Sequence, residues 1–204
     1  LIEIVTDAGF FVAVSRTLFR SFVSFIVTLI LGTILGFISG INNVVEACLE
    51  PVVAFIKSTP TIAVILFVLM WVDYSIAPII IGGLILFPII YNNVLHGIRD
   101  VDNQLIEMGK VYKFSKEKMI REIYLPSIRE FLYASVLTGA GLNIKVVIAS
   151  EVLGGSGKSI GRSLQYARAN VDTVSILAWI FIVVSIVALV DELIKLLSRK
   201  LKLQ

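Results

Sequence analysis

Cysteine occurs once in this chain of 204 residues, as Cys48, and histidine once, as His96. A single cysteine excludes a disulfide framework within one copy and any cysteine-based metal cluster, which leaves Cys48 a packing role. No set of His, Cys and carboxylates shows metal-ligand spacing, and no nucleophile stands beside a base, so neither a metal centre nor a hydrolytic centre is expected here. Charge is scarce too: 16% of residues are charged, against 57% hydrophobic. The net charge of +3 is spread over several segments rather than gathered on one face, which argues against a nucleic-acid partner.

What the chain has instead is long apolar runs, three without any charge and two with a single lysine, Lys57 or Lys145. A bilayer-spanning helix needs about 20 apolar residues, and five stretches qualify: Ser21–Ile41, Pro51–Val72, Tyr74–Ile98, Phe131–Ser150 and Thr173–Val190. Five in so short a chain leave too little polar sequence to cover them, so the expected class is all-α, a polytopic membrane bundle with five transmembrane helices. Lys57 is expected close enough to the end of the second span to snorkel. Gly32, Gly36 and Gly40 recur every fourth residue and predict a close helix-packing seam. Pro60, Pro78 and Pro88 invite kinks that neighbouring polar groups must offset; Ser58 and Thr59 stand ready before Pro60. Trp71 and Tyr74 sit where an aromatic belt would place them.

Lys and Arg are retained on the cytoplasmic side. Alternating the five spans puts 12 basic residues on one side and five on the other, with Lys145 left inside the membrane. The 12 include Lys57, the Arg99–Arg129 group, and Lys195, Arg199, Lys200 and Lys202. That side is therefore cytoplasmic, together with the C-terminus, and Leu1–Arg20 lies outside. The sequence opens at Leu1 rather than Met, which leaves room for a preceding signal or span.

One cytoplasmic segment stands apart, because Leu105–Pro126 carries eight charges. Asp102 can cap a helix whose Leu105, Met108 and Tyr112 share a face. Ser115 can cap a second, with Glu117 in its first turn and Met119, Ile120 and Ile123 as its apolar side, and Pro126 marks the boundary with the fourth span. Two amphipathic helices at an angle make a knob suited to a partner's groove; a merely solvated loop is the plainer alternative.

Glu107-Met108-Gly109, three residues, Lys113, nine residues and then Ile123-Tyr124-Leu125-Pro126 resemble the E-A-A-x3-G-x9-I-x-L-P loop of ABC importer permeases. The stretches SRTLFRSFVSFIVTLILGTILGFISG, IKSTPTIAVILFVLMWV and NIKVVIASEVLGG, with the closing span, are similar to successive parts of the nitrate, sulfonate and taurine branch of that family. The resemblance covers nearly the whole chain; members of the branch often carry a further N-terminal span. It implies a single permease domain over 1–204 with the MetI-like core, in a bacterial or archaeal inner membrane. It also implies a coupling loop at 99–126, in which Glu107, Met108, Gly109, Lys113, Ile123, Leu125 and Pro126 dock onto a separate ATPase. The partners it implies are two ATPase subunits that bind ATP and Mg, a second permease copy and an extracytoplasmic substrate-binding protein. The cargo would be a small anion (sulfonate, taurine or nitrate) or a vitamin precursor. Met108 stands where alanine is usual and Lys113 where glycine is, so a left-handed bend would cost Lys113 energy.

Within the membrane, the expected pathway residues are Lys145, Glu151, Asn143 and Thr59. A charge at membrane depth is costly and usually faces protein or a water-filled cavity. Lys145 could attract an anion or pair with another helix, and Glu151 could sit at the outer mouth; six residues separate them, so one helix face does not pair them. Asn92 and Asn93 follow the same logic, and His96 is expected at the cytoplasmic boundary. The fragment SGKS at Ser156–Ser159 lacks the first glycine of a phosphate loop, since Val152 stands there, so no nucleotide site is expected in this chain. Gly154–Asp172 is either an outer re-entrant or amphipathic element or a plain loop. An ion-coupled secondary transporter is the runner-up; it calls for opposed helix breaks and mid-membrane ionisable groups, and only Lys145 answers.

Overall fold

The computed structural model describes residues 8–155 and 157–202, with side chains in the last helix described as far as Leu196. Residues 1–7, Ser156 and the side chains of Arg199, Lys200 and Lys202 lie outside the described residues. Every described element is helical: α1 (Ala8–Ile41), α2 (Asn43–Ser58), α3 (Thr61–Trp71), α4 (Ala77–Arg99), α5 (Asn103–Val111), α6 (Lys116–Met119), a π-helical turn (Ile120–Tyr124), α7 (Leu125–Gly154), α8 (Ile160–Ala169) and α9 (Thr173–Lys202). Four helical runs are long and apolar enough to cross a membrane, and the pair α2 and α3 makes five if taken as one span. The chain is a multi-pass membrane protein.

The small-residue seam of α1 lies on α4. A Cβ added at Gly32 would come within 2.8 Å of Ile90, at Gly36 within 2.7 Å of the Tyr91 carbonyl, and at Gly40 within 2.5 Å of Ile98. Such distances are below any real contact, so the backbones meet only because these residues lack side chains. α4 is deeply enclosed, with Ile81, Leu86, Ile90, Tyr91 and Val94 almost wholly buried. α7 packs on its other side, where Gly139 admits Leu86 and Gly97 admits Phe131. α9 closes one flank: Trp179 and Ile182 meet Ile144 and Ile148 of α7 and Ala13 of α1.

Two expectations are corrected. The second span is not one rod, because α2 and α3 meet at 104° across Thr59 and Pro60. Proline cannot donate to the preceding turn and disfavours helical backbone in the residue before it, and Thr59 is extended (φ −79°, ψ 129°). Lys57 consequently sits beside this break, in one cavity with Pro88 and Asn92 at the middle of α4, rather than at a span's end. The second correction concerns Pro126, which does not end the elbow. Helix runs on from Lys116 to Gly154, and the Leu125 amide reaches back five residues to the Ile120 carbonyl. The wider π register just before Pro126 absorbs the missing donor and ring bulk that would otherwise break the helix.

Candidate functional site

Three places bring the sequence-predicted residues together: the elbow at one end of the bundle, a charged clasp at the other, and a polar face between them.

At the elbow, Asp102 and Ser115 act as the caps their positions predict, accepting from the Gln104 amide at 2.8 Å and the Lys118 amide at 3.2 Å. Gly109 is buried because α5 lies directly on the second helix: a Cβ there would stand 2.4 Å from the Met119 sulfur and 3.1 Å from Ile123. Ile123 is 4% exposed and forms the floor of this contact. Lys113 has φ +53°, the left-handed conformation that a glycine adopts without strain. It closes the C-terminus of α5, the Phe114 amide reaching the Gly109 carbonyl at 2.9 Å. Glu107, Lys110, Lys113, Lys116 and Arg121 are exposed around this packed hinge. So are Leu105, Met108, Val111, Tyr112, Ile120 and Leu125, apolar residues at 40–77% exposure, and Pro126. Lys118 lies over the Phe114 ring, 4.1 Å from its centre. A cationic, apolar knob with its own small core is thus held at the foot of α7.

At the opposite end, Glu151 is wholly buried. Its carboxylate accepts from the Thr17 hydroxyl at 2.8 Å, from the Arg20 guanidinium at 2.9 Å and from the Gly161 amide at 3.3 Å. Thr17 in turn accepts from the Ile160 amide at 3.1 Å, so the first turn of α8 is fastened to both α1 and α7. Gly161 is obligatory for this approach, since a Cβ there would lie 2.4 Å from that of Glu151. Asp73 and Asp172, in turns at the same end, accept from Ser75 and Ser175, and those hydrogen bonds hold both carboxyls below the usual carboxylate range. The segment read as either a re-entrant element or a loop contains a true helix, α8.

Between the ends, Asn143 is 1% exposed. It donates to the Ser21 carbonyl at 2.7 Å and accepts from the Ser24 hydroxyl at 3.2 Å. Gly82 makes room for the pair; a Cβ there would meet both at 2.6 Å. Asn143 and Glu151 therefore face a polar stripe on α1 formed by Thr17, Ser21, Ser24 and Thr28, all nearly buried. The sequence reading missed this stripe, although its spacing of four, three and four residues is the helix-face signal. Lys145 does the opposite. It is exposed on the same side of α7 as Thr138, seven residues earlier, and makes no ion pair or hydrogen bond among the described residues. Thr59 lines the cavity at the α2–α3 break with Lys57, Thr61, Asn92 and Asn93. His96 is exposed near the end of α4, close to the elbow. Among the described residues no group of three or more His, Cys, Asp or Glu is placed to hold a metal ion.

Residues 29–203 match the family described as binding-protein-dependent transport system inner membrane component. SsuC of Bacillus subtilis (strain 168), a permease protein assigned to aliphatic sulfonates transport, is 25% identical over 200 residues, covering 98% of this chain and 72% of the relative. The nitrate import permease protein NrtB of Leptolyngbya laminosa is 24% identical over 165 residues, 76% of this chain and 56% of the relative. The riboflavin transport system permease protein RibX of Chloroflexus aurantiacus is 27% identical over 159 residues, 77% and 57%. The chain thus spans a little over half the length of the last two. A solved structure described as an amino acid ABC transporter with histidines superposes with a TM-score of 0.79 over 94% of each chain at 13% identity, a likeness of fold.

Proposed function

Because this chain belongs to the family of binding-protein-dependent transport system inner membrane components, we propose that it is the permease of an ATP-driven importer. In this reading the knob of α5 and α6 sits in the cytoplasm and docks onto a separate ATPase that binds ATP and Mg. A second copy of this chain completes the pathway, and an external binding protein delivers cargo at the end where α8 is clasped.

The observation that carries the reading is the construction of the knob. It is packed internally through Gly109, Met119 and Ile123 yet presents exposed Leu105, Met108, Val111 and Tyr112 among cations. An exposed apolar patch of that kind on an ordered hinge is a docking surface rather than a solvated loop. It is joined without a break to α7, so displacement of the knob displaces α7 as a lever. Closure of the ATPase pair would rock this lever, and alternating access follows from the rocking. Glu107 supplies an acid at the rim of the surface. The left-handed Lys113 sets the turn between the knob's two helices, while Leu125 and Pro126 mark where the knob passes into the lever.

Lys145, beside Thr138 on the open face of α7, fits a place on the pathway. A lysine at that depth without a partner among the described residues calls for water, a second copy or an anion. Sulfonate and nitrate, the cargoes named for two of the relatives, are anions, which supports an anionic cargo. Asn143 and Glu151 support the pathway from behind, as the buried ties that hold α7 against α1. The runner-up, an ion-coupled transporter, gains one helix break from the α2–α3 bend, but no second, opposed bent pair occurs among the described residues.

The test is Glu107→Arg together with Gly109→Trp. The charge reversal alters the rim and the indole cannot fit under Met119, so co-purification with the ATPase should fall and uptake should stop. Normal assembly and normal uptake by this variant would remove the docking assignment.

A further inference from the structure

The cavity at the α2–α3 break has a volume of about 340 Å³ and opens at the mid-depth of α4, walled by Ile85, Pro88 and Ile89. Its polar lining is one-sided in chemistry. Lys57, Thr59, Thr61, Asn92 and Asn93 contribute an ammonium, hydroxyls and amides, and no carboxylate lines it. Of these groups the break itself takes up only the Thr59 hydroxyl. The Ser58 and Thr59 hydroxyls donate back into α2, to the Ala54 and Phe55 carbonyls at 2.8 and 2.7 Å. Asn92 donates to the Pro88 carbonyl at 2.7 Å and Asn93 to the Ser135 hydroxyl at 2.9 Å, which fixes both amides in place while each retains a second N–H. Lys57 and Thr61 make no side-chain hydrogen bond or ion pair among the described residues.

Lys57 is exposed to this cavity; an ammonium among apolar spans calls for water or an anion, and among the described residues no carboxylate meets it. Headgroup phosphates do not reach the middle of a span. The volume lies at the lower end of the range for small-molecule sites, enough for a compact ligand. We infer that this cavity is an oxyanion site on the translocation pathway, with Lys57 supplying the charge and Thr61 and Asn92 the hydrogen bonds that orient a small planar or tetrahedral oxyanion. This rests on the permease reading above and adds to its anionic cargo a place and the residues that would hold it. The cavity lies on a different helix pair from Lys145, so the two cations are independent contacts.

The full-length protein in lipid nanodiscs, without ATPase or binding protein, is titrated by calorimetry with nitrate, bicarbonate and methanesulfonate at constant ionic strength, and with riboflavin as a ligand of another kind. At least one of the three anions should bind saturably. Lys57→Met should weaken it by roughly tenfold or more, the loss of one charge-assisted contact, while Lys57→Arg retains it. Thr61→Val, which leaves the charge in place, should weaken it by a smaller factor, and Asn92→Asp should abolish it. Elution as a folded species in size-exclusion chromatography screens each variant, and Thr61→Val stands in if Lys57→Met fails that screen. Absence of binding for all three anions, or equal affinity in wild type and Lys57→Met, overturns the inference. Co-purification of the wild type with an ATPase is scored separately, so the permease reading can stand when the oxyanion site falls, and the reverse.

Discussion

Lys145 and Glu151 lie six residues apart on α7 and carry opposite charge, yet the fold treats them in opposite ways. Glu151 is wholly buried and takes three donors from two other helices; Lys145 is exposed and has no hydrogen bond or ion pair among the described residues. The cause is angular. Glu151 is turned toward the hydroxyl stripe of α1 and the first turn of α8, while Lys145 points to the open side of the helix. A charge within a membrane segment is thus not a functional marker by itself. One that is fully answered inside the chain secures the fold, and one left unanswered points outward to something the chain does not contain.

The largest effect that would break this contrast is on the answered charge. Glu151→Ala should destabilise the protein by about 3–5 kcal/mol, because it breaks a buried ion pair and removes the acceptor of the Thr17 hydroxyl and the Gly161 amide; thermal unfolding in detergent, followed by helix content, measures it. Lys145→Met should change that stability by no more than ~0.5 kcal/mol, the range of a substitution with no partner to lose, while lowering uptake of an anionic cargo. A large loss of stability with unchanged uptake would mean that Lys145 is structural after all. At the elbow the effect has the opposite sign: Lys113→Gly should stabilise the isolated permease by about 1 kcal/mol, since the left-handed backbone no longer strains against a Cβ. Any loss of ATPase binding in that variant would then report the charge rather than the bend.

Much of this was legible in the order of residues. Gly32, Gly36 and Gly40 fall at the helical repeat, and the seam they form on α4 follows from that spacing. Asp102 and Ser115 stand one residue before their helices and cap them, because capping depends on local backbone alone. The resemblance put a bend at Lys113 and left its backbone open, because a lysine there carries a cost; the structure keeps the left-handed backbone all the same. The clasp was not, since Arg20 and Glu151 are 131 residues apart and nothing local in either neighbourhood points to the other. The hydroxyls of Thr17, Ser21, Ser24 and Thr28 were passed over because, singly, each is unremarkable in an apolar run. Pro60 announced a perturbation, but proline fixes where a helix stops and not the angle at which the chain resumes; the 104° turn depends on how α3 packs against Ala77, Ile81 and Val146. Pro126 misled in the other direction, because a π turn can carry a helix through a proline.

The length of α1 sets one further condition. At about 1.5 Å per residue, its 34 residues extend about 51 Å, against a hydrocarbon layer of about 30 Å. Even a lean of 40°, the upper end of what spans show, leaves roughly 9 Å of this rod among the headgroups. The surplus at the clasped end carries exposed Phe11 and Val12, side chains suited to the acyl–headgroup boundary and ill suited to water. A thinner bilayer would force the rod to lean further, and because α1 is tied to α7 through Glu151, membrane thickness becomes a mechanical input to the whole bundle.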